Sequence, residues 1–215
     1  MIEATEIVFA APGGQALDGL SLDVASKERV GIVLPADGSG SLLLRILAAL
    51  VRPSSGYVVV DGIDLVADPL RARERLVYVT NDTVRPAPLL VGEWIQGLAA
   101  ARGVDVRPRL NAILDKMDLT AHASVDRLRA DGRALLALAT AVAIRPKVAL
   151  LDAPLRGVDG RRRQELMAWA LDELTESTVI LASDDQAELA LCHRRLRLTN
   201  GRLEPESKEQ MRCAG

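Results

Sequence analysis

Aromatic residues are scarce in this sequence: one phenylalanine, two tyrosines and two tryptophans among 215 residues. That scarcity excludes the stacking platforms on which single-strand nucleic-acid binders hold bases, and it leaves the core to Leu, Val, Ala and Ile. Net charge is nearly absent as well, since 27 basic and 29 acidic side chains sum to -2. No basic field draws the chain to nucleic acid. The two cysteines, Cys192 and Cys213, have neither metal-ligand nor redox spacing, which fits a reducing compartment. The longest apolar run, Ala134 to Ile144, is about half of the ~20 residues that a membrane span needs, and it reads as a buried helix. The opening "MIEATEIVFA" has no basic segment followed by an apolar one, so no secretory signal is expected. A cytoplasmic protein is the expectation.

What is present is alternation. Short β-type runs ("ERVGIVL", "GYVVVDG", "RLVYVT", "KVALLDA", "STVILAS") are interleaved with helical patterns ("LLLRILAAL", "RRRQELMAWALDEL", "QAELALCH"). Such alternation predicts a mainly parallel sheet flanked by helices. The opening "EIVFAAPGGQALDGLSLDV" instead reads as two strands about a Gly-Gly turn. The expected organisation is one α/β domain with an N-terminal antiparallel β lobe at 1–30, an α/β core at 31–85 and 146–204, and a helical insertion at 86–145. The tail "EPESKEQMRCAG" is polar and expected to fray.

Three stretches carry chemistry. "LPADGSGSLLLRILAAL" passes from a strand through small residues into a helix, the shape of a phosphate loop. "PKVALLDAPLRGVD", Pro146 to Asp159, places Asp152 at a strand end, and "TVILASDDQAELA" ends another strand in serine and aspartates. In order and spacing these resemble the ATP-binding-cassette (ABC) ATPase domain, whose corresponding motifs read "GPNGSGKSTLLRILAGL" and "PKVLLLDEPTSGLD". The likeness spans almost the whole chain and implies a P-loop ABC ATPase fold with Mg-ATP as ligand.

The resemblance also assigns stations, and several hold unexpected residues. In the ungapped register Gly40 stands at the lysine, Ser41 at the magnesium-ligand hydroxyl, and Asp37 and Ser39 at glycines. A register shifted by one residue puts Ser41 at the lysine and Leu42 at the hydroxyl. Either way Gly38, Ser39, Gly40 and Ser41 remain as a small-residue cradle, able to favour an anion or kept only as a folded corner. Asp152 stands at the magnesium-supporting aspartate, or is a strand-end hydrogen-bonder. Ala153 replaces the glutamate that polarises water, a contribution of roughly 10²- to 10⁴-fold. Asp184 replaces the histidine that meets the terminal phosphate, while Ser183 and Asp185 read as caps of the helix from Gln186. Asn81 stands at the glutamine that senses metal and nucleotide. The adenine-stacking aromatic would fall near Ala11, and the nearby Phe9 reads as core. Arg129, Ala130 and Asp131 replace the serine and glycines that face a partner's nucleotide, with Arg129 or Arg133 either solvated or meeting that partner. His122 and His193 match no station.

These replacements imply an inactive or very weak ATPase: no catalytic residue, no required cofactor, and weak or absent Mg-ATP binding. The expected role is a structural or allosteric subunit paired with an active ABC ATPase, an integral membrane permease, or both, at the cytoplasmic face of the membrane. Trp94 and Glu93, in the helical insertion, are the expected docking residues for the permease, with a partly buried core tryptophan as the alternative. A weakly ATP-hydrolysing subunit or nucleotide sensor, and a soluble regulatory binding module, are the other readings.

Overall fold

The structure is a computed structural model that describes residues 1–11, 14–35 and 38–206, without the side chains of 11, 14 and 15. Asp37, Cys213, the tail from 207 and the Ala11 side chain thus lie outside the described residues. The strands and helices follow in chain order: β1 (Ile2–Ala11), β2 (Gly14–Val24), β3 (Arg29–Val33), α1 (Ser39–Leu47), β4 (Ser55–Val60), β5 (Ile63–Asp64), α2 (Pro69–Arg75), β6 (Leu76–Thr80) and α3 (Val91–Ala100). After these come α4 (Arg107–Met117), a 3₁₀ turn (Val125–Arg127), α5 (Ala130–Ile144), β7 (Val148–Asp152), α6 (Gly160–Glu173), β8 (Thr178–Ser183), α7 (Gln186–Leu189), β9 (Arg194–Thr199) and β10 (Arg202–Pro205).

Two sheets form. A six-stranded sheet runs β10-β9-β3-β8-β7-β6, with β3 parallel to β8 and β9, and β7 parallel to β8. Every residue of β7 and β8 is buried, the pattern of central parallel strands covered on both faces. The second sheet is antiparallel, ordered β2-β1-β4-β5. Its strands bury one face: Ile2, Ala4 and Ile7 of β1 pack with Leu20 and Leu22 of β2, while Glu6 is exposed.

The run "GYVVVDG", read from sequence as a strand of the parallel core, pairs instead with β1, Val58 opposite Ala4 and Val60 opposite Ile2. Its burial alternates, so it suits a sheet with one covered face rather than the fully buried centre. Gly56 makes the approach possible: its φ is 87°, and a Cβ there would lie 2.5 Å from the Glu6 carbonyl oxygen.

The chain divides into two compact units. The first comprises Met1–Tyr78, Lys147–Asp152 and the chain from Glu176; the second comprises Val79–Pro146 and Ala153–Thr175. In the first, α1 packs on β7 and α7 on β8 and β3. In the second, α3, α4 and α6 surround α5, whose residues from Ala134 to Ile144 are all buried. A helix apolar all round is stable only as a core element. Its one buried hydroxyl, on Thr140, donates to the Leu136 carbonyl at 2.7 Å.

The first three residues of the stretch expected to fray, Glu204 to Glu206, belong to the fold. β10 runs through Pro205, and the Glu206 carboxylate is fully buried against Arg197 at 2.8 Å and Arg195 at 3.5 Å. A buried carboxylate held between two guanidinium groups fastens this end of the chain, because leaving it unpaired would be strongly unfavourable.

Candidate functional site

In a parallel sheet the C-terminal strand ends open onto the crevice where ligands bind. Here β3, β8 and β7 are neighbours, and Val33, Ser183 and Asp152 end them side by side. The Leu34 N–H donates to the Ser183 carbonyl at 3.0 Å, tying the start of the phosphate loop to the end of β8. The chain then turns into α1 through Gly38, which has φ 79° and no capping side chain. The positive end of α1 thus begins beside the C-terminal ends of these strands. Gly38 is exposed, Ser39 and Gly40 are buried, and Ser41 is half-buried.

Asp152 organises the floor of this crevice. It is 6% exposed, and its two oxygens have different partners: Ser41 Oγ donates to Oδ1 at 2.9 Å and Tyr78 Oη donates to Oδ2 at 2.8 Å. Ser41 therefore lies beside the strand-end aspartate, the pairing that the ungapped register implies. Burial, reinforced by the Asp152 carboxylate, pushes the Tyr78 phenol above its ordinary range, so it remains a donor. The reading of "YVTND" centred on Asn81 and missed Tyr78. Its partner lies 74 positions away in the chain, so no local pattern marks it.

Gly40 is hemmed in. A Cβ there would lie 2.8 Å from Leu34 Cδ2 and 3.2 Å from Pro35 Cδ, so Leu34 packs into space that any larger residue at 40 would need. Ser183 donates to the buried Glu188 carboxylate and accepts from the Asp185 N–H, while Asp185 accepts from the Ala187 and Glu188 N–H groups. These residues build the start of α7, as read from sequence, and Asp184 before them is exposed.

Of the other sequence-chosen residues, Ala153, Asn81, Arg129, Arg133, Glu93 and Trp94 lie in the second unit, and Phe9 and His193 in the first. Ala153 is buried, with φ 43°. Asn81 is exposed in a turn closed by Thr80 and Thr83. Arg129 is 91% exposed with its guanidinium 3.9 Å from Asp131, whereas Arg133 donates to the Leu128 carbonyl at 2.6 Å and is tied down locally. Glu93 accepts from the Leu90 N–H at 2.9 Å, a helix-start role. Trp94 is half-buried, its indole N–H buried without an acceptor among the described residues. Phe9 packs against the core. His193 is structural: its Nδ1 accepts from the Arg29 N–H at 2.9 Å.

Residues 17–156 match the family model described as ABC transporter. The chain belongs to that family. Among relatives of this ABC chain, the sulfate/thiosulfate import ATP-binding protein CysA of Burkholderia mallei is 32% identical over 91% of this chain and 59% of its own length. The chain thus spans somewhat over half of that relative. The probable sulfate/thiosulfate import ATP-binding protein CysA of Chlorella vulgaris is 30% identical over 88% of this chain and 83% of its own. A solved ATP-binding subunit of an ABC transporter superposes with a TM-score of 0.86 at 18% identity, covering 99% of this chain and 92% of that one. The fold is that of the P-loop ABC ATPases.

These comparisons correct one expectation. A chain read as no enzyme, because Gly40, Ala153, Asp184 and Arg129 stand at four stations, falls among relatives named as import ATP-binding proteins. Comparing side chains one by one underweights the main-chain N–H groups of the loop, which small residues supply without a lysine. Among the described residues no helix is long and apolar enough to cross a membrane.

Proposed function

We propose that this chain is the ATP-binding subunit of an ABC import complex, binding Mg-ATP at the C-terminal ends of β3 and β7 and working with a membrane permease. One observation carries the reading: Ser41, Asp152 and Tyr78 form a continuous hydrogen-bonded set beneath the start of α1. A serine hydroxyl beside a carboxylate is the hard-oxygen donor set that suits Mg²⁺. Ser41 Oγ and Asp152 Oδ1 are the atoms that would hold it. Bound Mg²⁺ would neutralise charge on the nucleotide's phosphate oxygens. Gly38, Ser39 and Gly40 would orient the phosphates through main-chain N–H groups. Ala153 carries only a methyl group, so residue 153 accepts no proton from an attacking water.

The permease is proposed to dock on the face of α3. There Trp94 is half-buried, Leu98 one turn on is 36% exposed, and Leu89 before the helix is 43% exposed. A half-buried tryptophan beside two exposed leucines is the kind of aromatic anchor that a partner surface covers. The relatives' names favour a small inorganic oxyanion as the imported cargo. The test is calorimetric titration of the purified chain with Mg-ATP. Saturable binding that Ser41→Ala and Asp152→Asn both weaken supports the reading, whereas a wild-type chain that binds no Mg-ATP, alone or with its permease, removes it. Loss of permease co-purification in Trp94→Glu tests the docking face.

A further inference from the structure

Tyr78, on β6, meets the site through Asp152. Its phenol closes the far side of the Asp152 carboxylate, donating to Oδ2 at 2.8 Å while Ser41 donates to Oδ1 at 2.9 Å. An aspartate at a strand end turns about its own side-chain bonds unless something fixes both oxygens. Here one is held by a residue of α1 and the other by a residue of β6, and Asp152 is itself buried. We infer that Tyr78 is a positioning residue that orients Asp152 for a divalent cation, holding Oδ2 so that Oδ1 alone faces the cation beside Ser41. This rests on the proposed Mg-ATP site. The physical basis is general: partners that hydrogen-bond a metal-ligating carboxylate fix its direction, and removing one typically weakens metal affinity about 10- to 100-fold.

Phenylalanine keeps the ring and deletes only the donor, so Tyr78→Phe isolates the hydrogen bond. Mn²⁺ serves as the probe, titrated by electron paramagnetic resonance in the presence of ATP, with ATP affinity measured separately in EDTA. Tyr78→Phe is expected to weaken Mn²⁺ about ten-fold or more while leaving metal-free ATP affinity unchanged. Tyr57→Phe, which alters the half-exposed tyrosine of β4, is expected to change neither. A role in packing alone would move both affinities, or neither, together with thermal stability. Unchanged Mn²⁺ affinity in Tyr78→Phe, with wild-type binding intact and Ser41→Ala impaired, overturns the positioning role and leaves the proposed function standing. A wild-type chain that binds no Mn²⁺ with ATP overturns both.

Discussion

The two sides of the phosphate loop are built differently. Toward β7, Ser41, Asp152 and Tyr78 keep oxygen atoms within hydrogen-bond distance of one another, and the carboxylate is buried only because both its oxygens are satisfied. Toward the start of the loop, Leu34 fills space beside Gly40 that a lysine would require, and packing stands where a charge is expected. The contrast sets hydroxyl and carboxylate oxygens on one side of the loop against apolar packing of Leu34 beside Gly40 on the other.

The largest effect is expected where the oxygen side is broken. Asp152→Ala removes the acceptor of two hydroxyls, so metal-dependent ATP binding should vanish in calorimetry. Stability in urea unfolding should fall by about 1–3 kcal/mol, because Ser41 and Tyr78 are left without their partner. Retained Mg-dependent binding in this variant would erase the distinction between the two sides.

The packing side is tested by restoring the charge. Gly40→Lys alone meets Leu34, whereas Leu34→Gly with Gly40→Lys gives the lysine room. The double variant should bind ATP more tightly than the two singles sum to, with a coupling on the order of 0.5–3 kcal/mol between these touching positions. Additive single effects would show that Leu34 is incidental.

Smaller effects lie at the margins of the site. Ala153 adopts φ 43°, where an L-residue is disfavoured by roughly 1–2 kcal/mol. Ala153→Gly relieves this and gives back part of it in backbone entropy, so a gain of up to about 1 kcal/mol is expected in thermal unfolding. Burial pushes the Cys192 thiol from 9.0 up to about 12. The folded thiol keeps its proton where the unfolded one has lost it. Its contribution is therefore whole below pH 9.0 and is lost as pH rises toward about 12. Melting temperatures followed upward from pH 9.0 should fall less steeply in Cys192→Ala than in the wild-type chain.

Much of this was legible in the residues. The strand-turn-helix of the phosphate loop, the buried runs of β7 and β8 and the helix from Ala134 follow from local patterns of small, β-branched and apolar residues, which act over a few positions. The pairing of β4 was not legible, because "GYVVVDG" has the same apolar text whether it joins a parallel or an antiparallel sheet. Gly56 reveals the choice only beside the Glu6 carbonyl. Tyr78 was passed over for the same reason: its role depends on Asp152, 74 positions away in the chain.

By itself, then, the sequence determined which segments become strands and helices, and that a small-residue loop precedes α1. Its likeness to the family motifs set the expectation that Gly40, Ala153, Asp184 and Arg129 stand at four of the family's stations. Tertiary structure alone decided which register of the loop meets β7, that Leu34 and Gly40 share one space, and that a tyrosine completes the aspartate's hydrogen bonds. The physical reason is range. Propensity and periodicity are set by neighbours along the chain, whereas hydrogen bonds and close contacts are set by whichever distant residues the packed core brings within a few ångströms.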